Sequence, residues 1–73
     1  MNIIDKIAKE CAAESLEVMN SDQRAAWAAG SPGEWEVLEG DWEYLTESLG
    51  REPSEEEGRD FREAYEAALI ESA

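Results

Sequence analysis

The chain has 73 residues, 19 of them acidic and six basic, and with no histidine its formal net charge is −13. This length leaves room for one small hydrophobic core, so we expect a single domain over residues 1–73. The charge argues against direct binding to nucleic acid or to anionic lipid, because both would repel the protein. It favours a partner with a basic surface.

Cysteine and histidine usage argues against the common stabilising groups. Cys11 is the only cysteine, so no disulfide forms within the chain, and without histidine a zinc site lacks ligands. We therefore expect no metal and no cofactor. Three features predict a cytoplasmic protein: the single thiol, residues 1–6 without the basic-then-apolar order of a secretory signal, and the lack of an apolar run of about 20 residues.

The first predicted helix runs from about Ile3 to Met19, with Asn2 as its cap. Its apolar residues recur at steps of three and four, which predicts one buried stripe. The members of this stripe are Ile4, Ile7, Ala8, Cys11, Ala12, Leu16 and Met19.

A short second helix is predicted from about Asp22 to Ala29, capped by Asn20 or Ser21 and ended by Gly30. Trp27 is its only large apolar residue. The sequence leaves open whether Trp27 lies in the core or contacts a partner.

The third predicted helix opens at Ser31-Pro32-Gly33-Glu34, which combines a serine cap, an early proline and a capping-box glutamate. Gly50 ends it, and Gly40 lies inside it, where glycine costs about 1 kcal/mol and indicates a bend or a close backbone approach. An apolar seam is predicted along this helix at Trp35, Leu38, Trp42, Leu45 and Leu49.

A second capping box, Ser54 with Glu57, opens the fourth helix. Its apolar stripe comprises Phe61, Ala64, Tyr65, Ala68 and Leu69, and its acids and bases are spaced for the ion pairs Glu55–Arg59, Arg59–Glu63 and Arg62–Glu66. With no two-residue alternation to suggest strands, we predict an all-α fold: a small bundle of three longer helices plus one short helix.

The acidic residues are concentrated in the C-terminal half. Residues 31–50 hold six acids and no basic residue. Four of these acids recur on one helical face, and a second acidic strip follows in the next helix. The predicted partner-binding residues are the six acids Glu34, Glu36, Glu39, Asp41, Glu43 and Glu47, and the second strip Glu52, Glu56, Asp60 and Glu63.

Unpaired like charges at this spacing destabilise a helix by about 0.2–0.5 kcal/mol per pair, so stability alone does not explain them. Carboxylates four residues apart are separated by about 6 Å along a helix, and phosphates follow each other at about 3.4 Å along a DNA strand. Neighbouring rows of acids therefore approach the charge density of a nucleic-acid backbone. A solvated acidic surface and adaptation to a high-salt source remain alternatives.

Catalysis is not predicted. The acids have no pocket of their own, Cys11 lacks a histidine or a basic cluster to activate it, and no phosphate-binding glycine loop is present. The ligand spacing of a calcium-binding EF-hand loop is also missing. A buried, unreactive Cys11 is the expectation. A metal-dependent or hydrolytic enzyme would need a pocket that the sequence does not show.

In size, acidity, absence of enzymatic motifs and the strip Glu36, Glu39, Glu43 and Glu47, the chain resembles the small acidic proteins that phages use against host defences. These include DNA-mimicking anti-CRISPR and anti-restriction proteins and uracil-DNA glycosylase inhibitors. The resemblance implies a non-enzymatic inhibitor that covers the basic DNA-binding surface of a host nuclease or another DNA-acting enzyme, in the host cytoplasm. No family motif matches, so no binding residue is transferred from these proteins.

The alternative is an acidic interaction or adaptor module that binds a protein, or forms a homodimer, through apolar anchors. In that case Trp27 and the stripe of Ile3, Ile4 and Ile7 would meet the other chain, and the acids would only confer solubility.

Overall fold

Four α-helices occur in residues 3–30 and 37–73, the part of the chain that the computed structural model describes, and no strand occurs there. They are α1 (Ile3–Val18), α2 (Ser21–Ala28), α3 (Glu39–Leu49) and α4 (Glu55–Ser72). The predicted all-α class is confirmed. The expected lengths are matched only roughly, because α3 has 11 residues whereas α1 has 16 and α4 has 18.

The core is formed mainly between α1 and α4, which pack along each other more extensively than any other pair of described helices. All seven residues of the predicted α1 stripe are buried, Met19 just beyond the end of the helix. Three of them, Ala8, Cys11 and Ala12, are small, and a helix face with small side chains lets a neighbouring helix approach closely.

The α4 face that meets α1 is also close to its prediction. Phe61, Tyr65, Ala68 and Leu69 are buried, and Ala64 is partly buried against them. The helix begins with the predicted capping box. The Glu57 amide donates to Ser54 Oγ over 3.2 Å, and the Ser54 amide donates to Glu57 Oε1 over 3.0 Å.

Helix α2 begins at a capping box that involves Asn20. The Gln23 amide donates to Asn20 Oδ1 over 2.8 Å, and the Asn20 amide donates to Gln23 Oε1 over 3.0 Å. Trp27 packs into the core with 1% of its surface exposed, which settles the question that the sequence left open. Its indole Nε1 is buried without a hydrogen-bond partner among the described residues.

Helix α3 differs most from its prediction. A continuous helix from about Pro32 is wrong, because Val37 and Leu38 are not helical and α3 begins at Glu39. The predicted cap at residues 31–34 and Trp35 lie outside the described residues. Gly50, with φ of 74°, ends the helix as predicted, in a left-handed conformation that suits glycine.

The shorter helix changes which residues reach the core. Leu38 is 44% exposed, so its place in the predicted seam is wrong. Leu45 is fully buried, and Trp42 and Leu49 are partly buried against the core. Gly40 lies in the first turn, and no atom from elsewhere in the fold lies within 4 Å of where its Cβ would be, so of the two alternatives for this glycine, a bend or a close backbone approach, the close approach is wrong.

Candidate partner-binding surface

The predicted acidic strip on α3 is exposed where the structure describes it. Glu39, Glu43 and Glu47 are all exposed, and because they are four residues apart they lie along one side of the helix. Glu34 and Glu36 lie outside the described residues.

Glu52, predicted to belong to the second strip, instead lies with the first. It follows α3 in the connection to α4, and together with Glu39, Glu43 and Glu47 it lines an open depression of about 400 Å³. Trp42 and Thr46 complete the lining. The structure therefore brings four of the predicted acids together around one aromatic side chain.

The remaining acids of the second strip lie on α4. Glu56, Asp60 and Glu63 are exposed and recur at steps of four and three, away from the buried face of Phe61 and Tyr65. They do not line the depression.

Few of the acidic side chains that the structure describes are neutralised by a basic side chain. Within the described part of the chain one ion pair is present: the Arg51 guanidinium contacts Glu57, with Nη1–Oε1 at 2.6 Å and Nη2–Oε2 at 2.8 Å. Hydrogen bonding from Arg51, then from the Ser54 amide, lowers the pKa of Glu57 to about 2. The acids of the two exposed rows have no such partner within residues 3–30 and 37–73.

The three ion pairs predicted along α4, Glu55–Arg59, Arg59–Glu63 and Arg62–Glu66, are not formed within 4.0 Å. Exposed pairs of this kind gain little in water and restrict two long side chains, so helical spacing alone does not enforce them.

Asp41 does not belong to the partner-binding surface, and its prediction as a binding residue is wrong. Its side chain is only 8% exposed, because the third residue of α3 lies on the same side as buried Leu45, one turn later. There it faces Cys11 of α1.

The Asp41 carboxyl group is poorly solvated. Oδ2 is buried without a hydrogen-bond partner in the described residues. Desolvation raises the pKa of Asp41, although hydrogen bonds with the Cys11 thiol and the Leu38 backbone lower it in part. Burial and the neighbouring Asp41 also raise the pKa of Cys11 to about 12, so this cysteine is the buried, unreactive thiol that the sequence predicted.

A second contact between α1 and α3 was not predicted. The Tyr44 hydroxyl donates a hydrogen bond to Glu10 Oε2 over 2.8 Å, although both side chains are exposed. Accepting this hydrogen bond, the Glu10 carboxylate raises the pKa of Tyr44. The two residues are 34 positions apart, and neither lies in a motif, so no local pattern in the sequence signals the pair.

No three side chains among His, Cys, Asp and Glu converge as metal ligands within residues 3–30 and 37–73. In the same residues, none of the helices is both long enough and apolar enough to cross a bilayer. The chain matches no protein-family model, and comparison with curated proteins and with solved structures finds no similar protein.

Proposed function

We propose that this protein is a non-enzymatic inhibitor that presents a nucleic-acid-like array of negative charge and covers the basic DNA-binding surface of a DNA-acting enzyme in the cytoplasm. A host defence nuclease, as for anti-CRISPR proteins, is the proposed class of target. The observation that carries this proposal is the row Glu39, Glu43 and Glu47, extended by Glu52, which is exposed and has no basic partner in the described structure.

The regular helical spacing of the row supports the proposal. The three glutamates of the row stand on a helix that is anchored to the core through Leu45 and Trp42 and is ended by Gly50. Carboxylates held about 6 Å apart on such a helix keep their spacing when a partner approaches. Lysine and arginine side chains that bind phosphates would then meet a preformed acidic row and release counterions, as they do on DNA.

The apolar anchors of the adaptor alternative are mostly unavailable. Trp27, Ile4 and Ile7 are buried in the core of this one chain, and only Ile3 of the group is exposed. These side chains cannot meet a second chain without opening the bundle. The acids, by contrast, are already at the surface.

The test begins with capture of host proteins by the immobilised chain at 50 mM and 500 mM salt, followed by elution with duplex DNA. A purified target is then assayed by the anisotropy of a labelled duplex. The proposal expects the protein to displace the duplex, with an affinity that falls steeply as salt rises.

The decisive variant is the triple reversal Glu39→Lys, Glu43→Lys and Glu47→Lys. Its matched control is Glu14→Lys, Glu17→Lys and Glu71→Lys, which changes the net charge equally at exposed positions outside both acidic rows. We expect at least a 100-fold loss of affinity for the first variant and less than a tenfold loss for the control. The proposal would be refuted by a tightly bound partner whose affinity changes neither with salt nor in the first variant.

A further inference from the structure

Trp42 is held in place from the α4 side. Its ring centroid lies 5.1 Å from that of Phe61, with the two planes tilted by 47°. Gly58 lies beside the indole, since a Cβ added at this glycine would come within 3.8 Å of Trp42 Cζ3 and Cη2. The indole is only partly buried by these contacts, and its accessible part forms an apolar wall of the depression on α3.

The rim of the depression is anionic. Four of its six lining residues are glutamates and none is basic. Arg51, which precedes Glu52 in the chain, is bound to Glu57 through two nitrogen–oxygen contacts and so does not neutralise the rim. An accessible aromatic side chain beside unpaired carboxylates attracts a cation that also carries apolar or planar surface.

The shape of the site argues against a small inorganic cation. Its volume of about 400 Å³ is many times the roughly 10–15 Å³ that a cavity needs in order to hold one water. The carboxylates stand around an open depression and do not converge as ligands would around a metal ion, as far as the described residues show. An extended organic cation with several hydrogen-bond donors fits this arrangement better.

We propose that the depression lined by Trp42, Glu43 and Glu47 receives an arginine side chain from the basic protein partner, with the guanidinium group against the indole and its N–H groups directed to the rim carboxylates. This inference rests on the proposed function, since it names the anchor within the same acidic surface. Arginine is preferred to lysine because its guanidinium is planar, weakly hydrated and able to bind a carboxylate through two parallel hydrogen bonds.

The test compares two blocked peptides of equal charge, hexaarginine and hexalysine, titrated into the full chain at 50 mM salt. Binding is followed by calorimetry and by the assigned indole N–H resonance of Trp42. Charge attraction alone gives equal affinities. The proposed site gives a two- to fivefold preference for hexaarginine, the usual range for an exposed cation–π contact, with the shift largest at Trp42.

Two single substitutions on α3 locate the effect. Thr46→Arg places a guanidinium at the lining of the depression, whereas Ser48→Arg adds the same charge at an exposed position that does not line it. We expect the preference for hexaarginine to disappear in the first variant and to persist in the second. Circular dichroism is used to check that both variants fold.

The outcomes separate this inference from the proposed function. Equal affinity for the two peptides, or a preference that survives Thr46→Arg, overturns the arginine site, and competition with DNA would still support charge mimicry. A preference lost only in Thr46→Arg supports the site, and if DNA competition is then absent, the site stands while the proposed class of target is wrong.

Discussion

Helix α1 packs against both α4 and α3, and the two interfaces differ in whether their buried polar groups are hydrogen-bonded. Against α4 the interface is apolar except for Ser15, whose Oγ lies in hydrogen-bonding contact with the Tyr65 hydroxyl. Against α3 it contains Asp41, whose Oδ2 is buried without a hydrogen-bond partner among the described residues. Burial of a polar group is nearly neutral when its hydrogen bonds are made and costly when they are not. We therefore expect the α4 interface to hold the fold and the α3 interface to be the weaker of the two.

The largest effect expected on the α3 side comes from Leu45→Ala, because this residue is fully buried there. We expect a loss of about 2–5 kcal/mol in the free energy of unfolding. Leu38→Ala is the matched control, since the sequence placed both leucines in one seam but Leu38 is exposed, and its loss should stay below about 0.5 kcal/mol. Urea denaturation followed by circular dichroism measures both, and equal losses would contradict the observed position of Leu38.

On the α4 side, Tyr65→Phe removes the hydroxyl that contacts Ser15 and leaves the serine buried. The expected loss is about 1–3 kcal/mol in the free energy of unfolding. Adding Ser15→Ala should restore part of it, because the double variant no longer buries an unpaired hydroxyl. A double-mutant cycle that shows additive losses would mean that the two hydroxyl groups do not depend on each other.

On the α3 side, Asp41→Asn should stabilise the protein, by at most about 1 kcal/mol at pH 7, because it removes a negative charge from a buried position. The pKa of Asp41 is raised in the folded state, so its ionisation destabilises the fold as the pH rises above the ordinary value of 3.8. The gain should therefore be absent below pH 4 and should grow towards pH 7. Thermal unfolding across this range measures it.

Glu43→Gln is the control for that experiment, since it removes the same charge from an exposed position on the same helix. It reports the general relief of repulsion in a chain of net charge −13. If both variants gain equally at every pH, the burial of Asp41 has no energetic consequence and the contrast between the two interfaces fails.

The smallest effect is expected for Glu57→Gln, at the exposed start of α4. The folded-state pKa of Glu57 is lowered from the ordinary 4.5 to about 2. Its ion pair with Arg51 therefore stabilises the fold fully above pH 4.5, and this stabilisation is lost as the pH falls through 2. The variant should be slightly less stable than the parent at pH 7 and equal to it near pH 1. Glu55→Gln, two residues earlier in α4 and without an ion pair in the described part of the chain, is the control, and its stability relative to the parent should not depend on pH in this way.

The buried faces of α1 and α4 and the start of α4 could be predicted from the sequence, because each depends on a pattern of residues close together in the chain. Steps of three and four place Ile4, Ile7 and Cys11 on one face of α1, and the capping box of Ser54 with Glu57 marks the start of α4 without any tertiary information. Local patterns of this kind also predicted the all-α class, the main core residues of α1 and α4, and the end of α3 at Gly50.

The positions of Leu38 and Asp41 were predicted wrongly because the predicted start of α3 was wrong. A helix that starts at Glu39 leaves Leu38 as an exposed N-cap residue and lets Asp41 share the inward side with Leu45, whereas a start near Pro32 favours Leu38 as a core residue. The acidic composition also suggested that every carboxylate is at the surface. The depression beside Trp42 could not be predicted, because it depends on how the indole packs on Phe61 of α4, with Gly58 nearby.

Because Cys11 is the only thiol and is 1% exposed, the chain carries its own reporter of opening. A thiol-specific reagent cannot reach Sγ until α1 separates from its neighbours, and the high pKa keeps the group protonated until then. In the protein without any substitution, the rate of Cys11 labelling therefore measures how often the bundle opens. A bound partner that locks α3 against α1 would slow that rate without touching the cysteine itself.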